Sequence, residues 1–272
     1  MTEALTETAA PPAPASPAIT LEQKYFFEAN GYLVVHDALS VEELARIRAA
    51  ADATEALWRA DPDLAGVRRH DLDQIIGIME YDPVFVEALV HRTVFPLVRE
   101  LLGPDVMMLD NDYFITPAGA LIHRGWHYDE GFPGIYHPRS RLMIKVFYVL
   151  QDVPHDGGGT VMLPGSHRFP SGRPVNTEVP EDMPNGVRMA LPAGAAYLMA
   201  GRTYHCVGNN LSNRIRRLLI YTYGHKWMRI WDGYDPSPRL AAQATTPMLA
   251  QLLGLTDPYG PNAPLAPAPA AA

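Results

Sequence analysis

A histidine and a carboxylate stand two positions apart in the stretch RGWHYDEG, residues 124–131. Alternate side chains of a β-strand share a face, so His127 and Asp129 would point to one spot, with Trp126 and Tyr128 pointing the other way. Two such side chains provide half of a metal site. The same spacing also arises on exposed strands, so the metal interpretation requires a third ligand elsewhere in the chain.

His205 is the candidate for that third ligand. It follows the apolar segment AAYLMA and precedes the polar stretch GNNLSN, the usual position of a residue at the mouth of a β-barrel, although a histidine there is also typical of the core or of a loop. Two histidines and one carboxylate leave three positions open on a six-coordinate ion, which suits Fe(II) that binds a cosubstrate and O₂ together. A structural zinc site would be closed by a fourth ligand.

Arg216 is the candidate for binding such a cosubstrate. It follows His205 by eleven residues, on the next predicted strand. A 2-oxo acid that chelates iron needs a cation for its far carboxylate, and a guanidinium donates two parallel hydrogen bonds to that group. The alternation of a strand puts Arg214 on the same face as Arg216. We expect Arg214 and Arg217 to be exposed, solvated side chains.

The elements that must position these residues change in kind along the chain. The first part of the chain predicts a short helix ending near Asn30-Gly31 and a strand at Tyr32–Val35. Two longer helical patterns follow, one behind the capping box of Ser40 and Glu43 and another over 84–103 that Pro96 should divide. In the first, Leu44, Ile47, Ala51 and Leu57 keep a helical period.

From Val106 onward the chain consists of short β-rich runs separated by Gly, Pro, Asp and Asn. The predicted strand segments are VMMLDNDYFI, LIHRGWHYD, LMIKVFYVLQDV, GTVMLPGS, GVRMALPAG, AAYLMAGRTYHCVGN and RIRRLLIYTYGHKW. Many short strands with close turn signals predict an antiparallel sandwich or barrel, mainly β with flanking helices, and a jelly roll suits the count.

Composition limits the organisation and the partners of the protein. The 272 residues, 47% of them hydrophobic, predict a single domain over 21–256, with Pro/Ala-rich tails at 1–20 and 257–272 that have almost nothing to bury. The formal charge of −8 without a basic stripe argues against a nucleic-acid partner. One cysteine, Cys206, excludes an internal disulfide, and no signal peptide or membrane segment is apparent. We therefore expect a cytoplasmic protein that acts on a small molecule, whose oligomeric state the sequence does not indicate.

Three motifs follow one another along the chain, namely WHYD, LQDVPHDGGGTVMLPGSH and HCVGNNLSNRIRR. Together they resemble the phytanoyl-CoA dioxygenase family of Fe(II)- and 2-oxoglutarate-dependent oxygenases, and the resemblance spans roughly residues 22–235. It implies a double-stranded β-helix of the cupin-like jelly-roll type, iron held by His127, Asp129 and His205, and 2-oxoglutarate whose distal carboxylate meets Arg216. Since Asp129 is a carboxylate, a related halogenase activity is disfavoured.

The chain departs from the family pattern where the cosubstrate pocket is completed. Many members carry a tryptophan on the strand that here reads KVFYVLQD, where Lys145, Val146 and Phe147 occupy that neighbourhood. We predict Lys145, Tyr113 and Asn111 as further cosubstrate-binding residues, although core packing is an equal alternative for Tyr113 and Asn111. His167, in the PGSH signature, is expected to be structural.

The predicted reaction is oxidation of an unactivated C–H bond, by default a hydroxylation, in a metabolite and in a setting that suits natural-product tailoring. Substrate specificity is expected from residues 58–83, 130–141 and 224–235, which are the least family-like. Two alternatives stay open. One is a metal-dependent barrel enzyme without a 2-oxo acid, such as an isomerase or an O₂-only oxygenase, which would leave Arg216 without a purpose. The other is an inactive jelly-roll binding module, which would predict a broken triad.

Overall fold

Two antiparallel sheets form the body of the protein. The computed structural model describes residues 19–122, 125–130, 141–169 and 183–263. The larger sheet has the strand order β1-β8-β5-β10-β4-β3-β2. Its strands are β1 (Tyr32–Val35), β2 (Gly66–Val67), β3 (Asp73–Ile76), β4 (Val106–Thr116), β5 (Ile144–Val149), β8 (Ala196–Ala200) and β10 (Arg216–His225).

The smaller sheet faces the inner side of the larger one. Its order is β7-β6-β9, with β6 at Thr160–Met162, β7 at Val187–Arg188 and β9 at His205–Val207. Isolated bridges extend it, one between His127 and His205 and one between Gly157 and Asn210. Two antiparallel sheets of short strands, with helices against one of them, confirm the predicted double-stranded β-helix.

Helices cover the outer face of the larger sheet. They are α1 (Leu21–Asn30), α2 (Val41–Ala60), α3 (Pro83–Leu89), α4 (Phe95–Leu102), α5 (Pro238–Ala241) and α6 (Pro247–Leu252), and short 3₁₀ turns lie at Ile78–Glu80 and Ser166–Arg168. The capping box of Ser40 and Glu43 begins α2 as predicted. Trp58 is buried in the α2 stripe and Leu57 is 60% exposed, so the predicted stripe was wrong by one residue at its end.

Pro96 divides the predicted second helix, as expected. The chain leaves the helical path after Leu89, and α4 begins at Phe95 with Pro96 in its first turn. A proline has no N–H to donate, and the first turn of a helix is where this donor is not needed. The two strands β2 and β3 were not predicted, because they lie in a polar segment whose residues favour loops.

The packed region extends slightly beyond the predicted domain boundaries. Ile19 is buried, and the Thr20 side chain caps α1, so packing begins two residues before position 21. At the other end Lys226 binds the carbonyl of Gly260. The remaining residues of the predicted tails, 1–18 and 264–272, lie outside the described residues. Within the described ranges, every helix is too short or too polar to cross a lipid bilayer.

Gly31 joins α1 to β1 and offers a test of the fold. It ends α1 with φ +81°, and an added Cβ would lie 2.5 Å from both His167 Nδ1 and Thr203 Oγ1. We expect Gly31→Ala to lower the free energy of unfolding by about 2 kcal/mol or more, since left-handed strain and overpacking add. The measurement is denaturant unfolding. Gly119→Ala is the matched control, because Gly119 also has a positive φ of +69° but nothing within 4 Å. An equal loss of unfolding free energy in both variants would show that backbone strain alone accounts for the effect, without overpacking.

Candidate active site

The backbone brings the two predicted iron-binding segments together. His127 donates its amide N–H to the carbonyl of His205 over 2.8 Å, and His205 returns an amide bond to His127 over 3.0 Å. Asp129 donates its amide to the Gly201 carbonyl over 3.0 Å. The described part of the segment LIHRGWHYD forms this bridge and no regular strand, which corrects the predicted strand. Convergence of His127 and Asp129 therefore depends on pairing with β9 and its preceding turn.

The three candidate ligands form one compact group. His127 Nε2 lies 3.6 Å from Asp129 Oδ1, and His205 Nε2 lies 3.4 Å from Asp129 Oδ2. One donor atom of each residue can be chosen so that all lie within 4.8 Å of one another, the only such group of His, Cys, Asp or Glu found in the described ranges. Two imidazoles and one carboxylate are the donor set typical of non-haem Fe(II) oxygenases.

Hydrogen bonds orient both imidazoles. His127 Nδ1 lies 3.0 Å from the Gly125 carbonyl, and His205 Nδ1 lies 2.9 Å from the Thr203 carbonyl. Because a carbonyl only accepts, Nδ1 must carry the proton in each ring, and Nε2 then holds the lone pair that a metal requires. Both lone pairs are on the nitrogens that face Asp129. The donor set, its spacing and its tautomers fit an Fe(II) ion.

Arg216 is held in the interior at the start of β10. Only 5% of the residue is exposed. Its Nη1 donates to Thr116 Oγ1 and its Nη2 to Thr160 Oγ1, each over 3.2 Å. Burial lowers the pKa of Arg216 from its usual value, and Tyr197 partly offsets this effect. Across the described ranges no carboxylate lies within ion-pair distance of its guanidinium, so the buried cation suits an anionic ligand.

The metal-ligand candidates and Arg216 border one cavity. Its wall consists of Phe114, His127, Asp129, Lys145, Phe147, Thr160, His205, Val207, Arg216 and Ile220. His127, Asp129, Lys145 and His205 form one polar group of this wall, Arg216 and Thr160 form another, and the remaining wall is apolar. Such a cavity can hold a small anion between a cation and a metal while its apolar wall limits the access of water. All four residues of the predicted constellation are thus brought together.

Thr116, Thr160 and Tyr197 were not predicted as site residues. Thr116 is the register partner of Arg216 at the end of β4. Thr160 accepts from Arg216, and its hydroxyl lies 2.9 Å from the Tyr197 hydroxyl. The only sequence signal for Thr116 is its position at the end of a long strand before ProAla, a place that polar residues often occupy. Thr160 and Tyr197 carry no such signal, because their approach to Arg216 depends on the packing of the two sheets.

Lys145 reaches the metal-ligand candidates. Its Nζ lies 3.6 Å from Asp129 Oδ2, and only 13% of its side chain is exposed. It occupies the same inner face of β5 as Phe147, which is also in the cavity wall. The location agrees with a role in the site, and the ion pair joins Lys145 to the candidate metal-binding carboxylate.

Two buried aspartates of β4 lie on the same inner side. Asp110 is 1% and Asp112 is 4% exposed. Burial raises the pKa of Asp110, while the positive charge of Lys145 lowers it. Burial and then the charge of Asp110 raise the pKa of Asp112 to about 7, and Lys145 again acts in the opposite direction. The charge of Lys145 thus acts against the effect of burial on both carboxyl groups.

Tyr113 and Asn111 lie on the opposite face of β4, which corrects their assignment to the cosubstrate pocket. Tyr113 is fully buried in the core between the sheet and the helices, and Asn111 Oδ1 accepts from the Met79 amide over 2.9 Å. Alternation along β4 turns Phe114 and Thr116 to the cavity instead. Core packing, the alternative reading of these two residues, explains their placement.

The other basic candidates have structural positions. His167 Nε2 lies 3.1 Å from the Glu28 carbonyl, in agreement with the expected structural role. Arg214 is exposed as expected, whereas Arg217 is part-buried and pairs with Asp52 and Glu55 of α2 over 3.1 and 3.0 Å. The expectation of a solvated side chain was thus wrong for Arg217.

The aromatic segment after β10 lies beside the cavity. Trp231 is 5.9 Å from Lys145 Nζ, measured to the ring centroid, and the Tyr234 hydroxyl donates to Asp112 Oδ1 over 2.8 Å. A groove of about 560 Å³ runs along Trp227–Asp232 and Leu142. Residues 131–140, which were also expected to determine specificity, lie outside the described ranges. The other two segments expected to determine specificity are 58–83 and 224–235. Each contributes one hydrogen bond to the Asp112 carboxyl group, from Gln74 and from Tyr234 respectively.

Comparisons with known proteins agree with this geometry. The family model of Phytanoyl-CoA dioxygenase (PhyH) matches residues 27–218. Dioxygenase aneA of Aspergillus aculeatus is 22% identical over 210 residues, which cover 73% of this chain and 67% of that protein. HygX from Streptomyces hygroscopicus, solved with nickel, 2-oxoglutarate and hygromycin B bound, has a TM-score of 0.65 at 17% identity over 78% of this chain and 90% of that chain. SnoK, a non-haem α-ketoglutarate-dependent carbocyclase from nogalamycin biosynthesis, has a TM-score of 0.62 at 21% identity over 76% and 85% of the two chains.

At these identities the solved structures show a similar fold only. The evidence for the chemistry comes from the family match. The match spans most of the chain, from α1 into β10. It includes both segments of the candidate metal group and Arg216. The chain therefore belongs to the phytanoyl-CoA dioxygenase family and is a non-haem iron dioxygenase that uses 2-oxoglutarate.

Proposed function

We propose that the enzyme hydroxylates an unactivated C–H bond of a small-molecule metabolite, with Fe(II) held by His127, Asp129 and His205. Bound Fe(II) and 2-oxoglutarate supply the activation of O₂, with succinate and CO₂ as co-products. The observation that carries the proposal is one cavity bordered both by the three ligand candidates and by buried Arg216, which has no carboxylate within ion-pair distance in the part of the chain that the structure describes.

The side chains of the cavity have separable tasks in this proposal. Arg216 binds the distal carboxylate of 2-oxoglutarate, and the hydroxyls of Thr116 and Thr160 hold the guanidinium in place before the anion arrives. Phe114 and Phe147, which belong to the same wall, exclude water from the reacting region. Preorganised donors and a dry wall are what a protein contributes when its cofactors perform the difficult step.

The charges in the cavity wall favour a neutral or cationic polar substrate over an acyl-CoA. The ammonium of Lys145, in the cavity wall, pairs with the Asp129 carboxylate at 3.6 Å. Its charge is already compensated, so it offers little attraction to phosphates. HygX was solved with hygromycin B and SnoK comes from nogalamycin biosynthesis, which supports a role in natural-product tailoring. A cytoplasmic location remains a prediction from the sequence.

The alternative activities explain fewer of these features. An isomerase or an O₂-only oxygenase would leave the buried Arg216 and its two threonines without an anion to bind. A binding module that had lost activity would have no need of three ligand side chains with matched tautomers. The oxygenase reaction requires both the three ligand candidates and Arg216.

The test is an anaerobic titration of the metal-free enzyme with Fe(II) and then 2-oxoglutarate. We expect the weak visible charge-transfer band of the chelate to appear at one equivalent of each. Screening for substrates then uses succinate release, and the oxidised product is identified by mass, where hydroxylation adds one oxygen atom. Fe(II) binding without this band would contradict the role of Arg216. A product of unchanged or reduced oxygen content would contradict hydroxylation.

A further inference from the structure

Lys145 contacts a candidate metal ligand although it is not one of the three ligands itself. Its ammonium group approaches Asp129 on the side of Oδ2, at 3.6 Å. The same oxygen is 3.4 Å from His205 Nε2, whereas Oδ1 faces His127 Nε2 at 3.6 Å. The two oxygens of this carboxylate therefore have different neighbours. A group that contacts only one of them can set the rotation of the carboxylate about its Cβ–Cγ bond.

The surroundings of Lys145 keep the ammonium in this position. Opposite Lys145 in the sheet are Thr222 on β10 and Met199 on β8. The ring of Trp231 lies 5.9 Å from Nζ, in the range of a cation–π contact. Thr222 donates its hydroxyl to Asp110 Oδ1 over 2.6 Å, which fixes this neighbour of the lysine. The side chain is 13% exposed, so it has little room to leave for solvent.

We propose that Lys145 is a positioning residue of the iron site, which holds the orientation of the Asp129 carboxylate through an ion pair. Ligating carboxylates depend on such outer partners, and loss of a partner typically weakens metal binding by about 10- to 100-fold. The inference rests on the proposed assignment of Asp129 as an iron ligand. The positioning role replaces the cosubstrate-binding role that the sequence suggested for Lys145, because the ammonium contacts the candidate metal ligand Asp129.

The competing role, an anchor for an anionic substrate, agrees less well with the geometry. An anion site needs a cation with uncompensated charge, and the ammonium of Lys145 already pairs with the Asp129 carboxylate at 3.6 Å. A further anion at this position would also approach that carboxylate. The ion pair with Asp129 uses the same charge without that repulsion.

Metal affinity without turnover tests the proposal. The metal-free enzyme is titrated anaerobically with Co(II), whose visible bands report both binding and ligand geometry. We expect Lys145→Met to weaken Co(II) binding about 10- to 100-fold and to change the band pattern. Lys145→Arg keeps the charge and should recover most of the affinity. Thermal unfolding of the metal-free variants establishes that they are folded, and Lys145→Gln replaces Lys145→Met if the latter does not fold.

Lys226→Met is the matched control. Lys226 is a buried lysine, only 7% exposed. It pairs with Asp105 at 3.9 Å and is not in the cavity wall. We expect it to retain wild-type Co(II) binding. A folded Lys145→Met variant with wild-type affinity and bands overturns the inference while leaving the metal site intact. If the wild-type enzyme does not bind Co(II), the assignment of the metal site fails first, and the inference fails with it.

Discussion

Replacement of Asp129 by alanine is expected to reduce succinate formation by more than about a hundredfold, since loss of an outer partner alone typically costs 10- to 100-fold and Asp129 is a proposed ligand itself. The variant keeps both histidines but loses the only anionic donor among the three candidates. Metal affinity and turnover should fall together. The measurement combines an anaerobic Fe(II) titration with a succinate assay in the presence of substrate.

Asp152→Ala is the control for this experiment. Asp152 is exposed, accepts a hydrogen bond from the Ala193 amide and lies outside the cavity wall. It should retain both Fe(II) binding and turnover. Unchanged succinate formation by Asp129→Ala would place the metal elsewhere and would refute the assigned site.

Arg216→Met should weaken 2-oxoglutarate binding by about a hundredfold or more, because truncation of one partner of a buried charge pair costs 2–5 kcal/mol or more. Fe(II) binding should change little, since Arg216 contacts Thr116 and Thr160 and none of the metal-ligand candidates. The dissociation constant is obtained from the charge-transfer band of the Fe(II) complex as 2-oxoglutarate is added.

The same substitution should leave the ligand-free protein at least as stable as the wild type. Arg216 is buried and its pKa is lowered by burial, so the unliganded enzyme carries the cost of a desolvated cation. Thermal unfolding without and with 2-oxoglutarate measures this difference, and 2-oxoglutarate should raise the melting temperature of the wild type but not of Arg216→Met. Arg214→Met, a change at an exposed neighbour, is the control and should respond as the wild type does. Equal stabilisation of Arg216→Met by 2-oxoglutarate would contradict the assignment.

Residue chemistry and local pattern determined much of this protein. The capping box of Ser40 and Glu43, the division of the helix at Pro96 and the run of short strands after Val106 all follow from backbone preferences that act over a few residues. The ligand types in the two motifs and the arginine that follows them also indicated an iron and 2-oxoglutarate enzyme. These features are local, so the sequence alone is sufficient to predict them.

The tertiary structure alone decided which side of each strand meets the cavity. Alternation divides β4 into two faces, but both faces are buried, so the sequence does not identify the inner one. Tyr113 and Asn111 therefore belong to the helix-side core, and Thr116 belongs to the site. The meeting of His127 with His205, and of Lys145 with Asp129, likewise depends on contacts between segments far apart in the chain. Such contacts arise from the packing of the two sheets, which no local preference encodes.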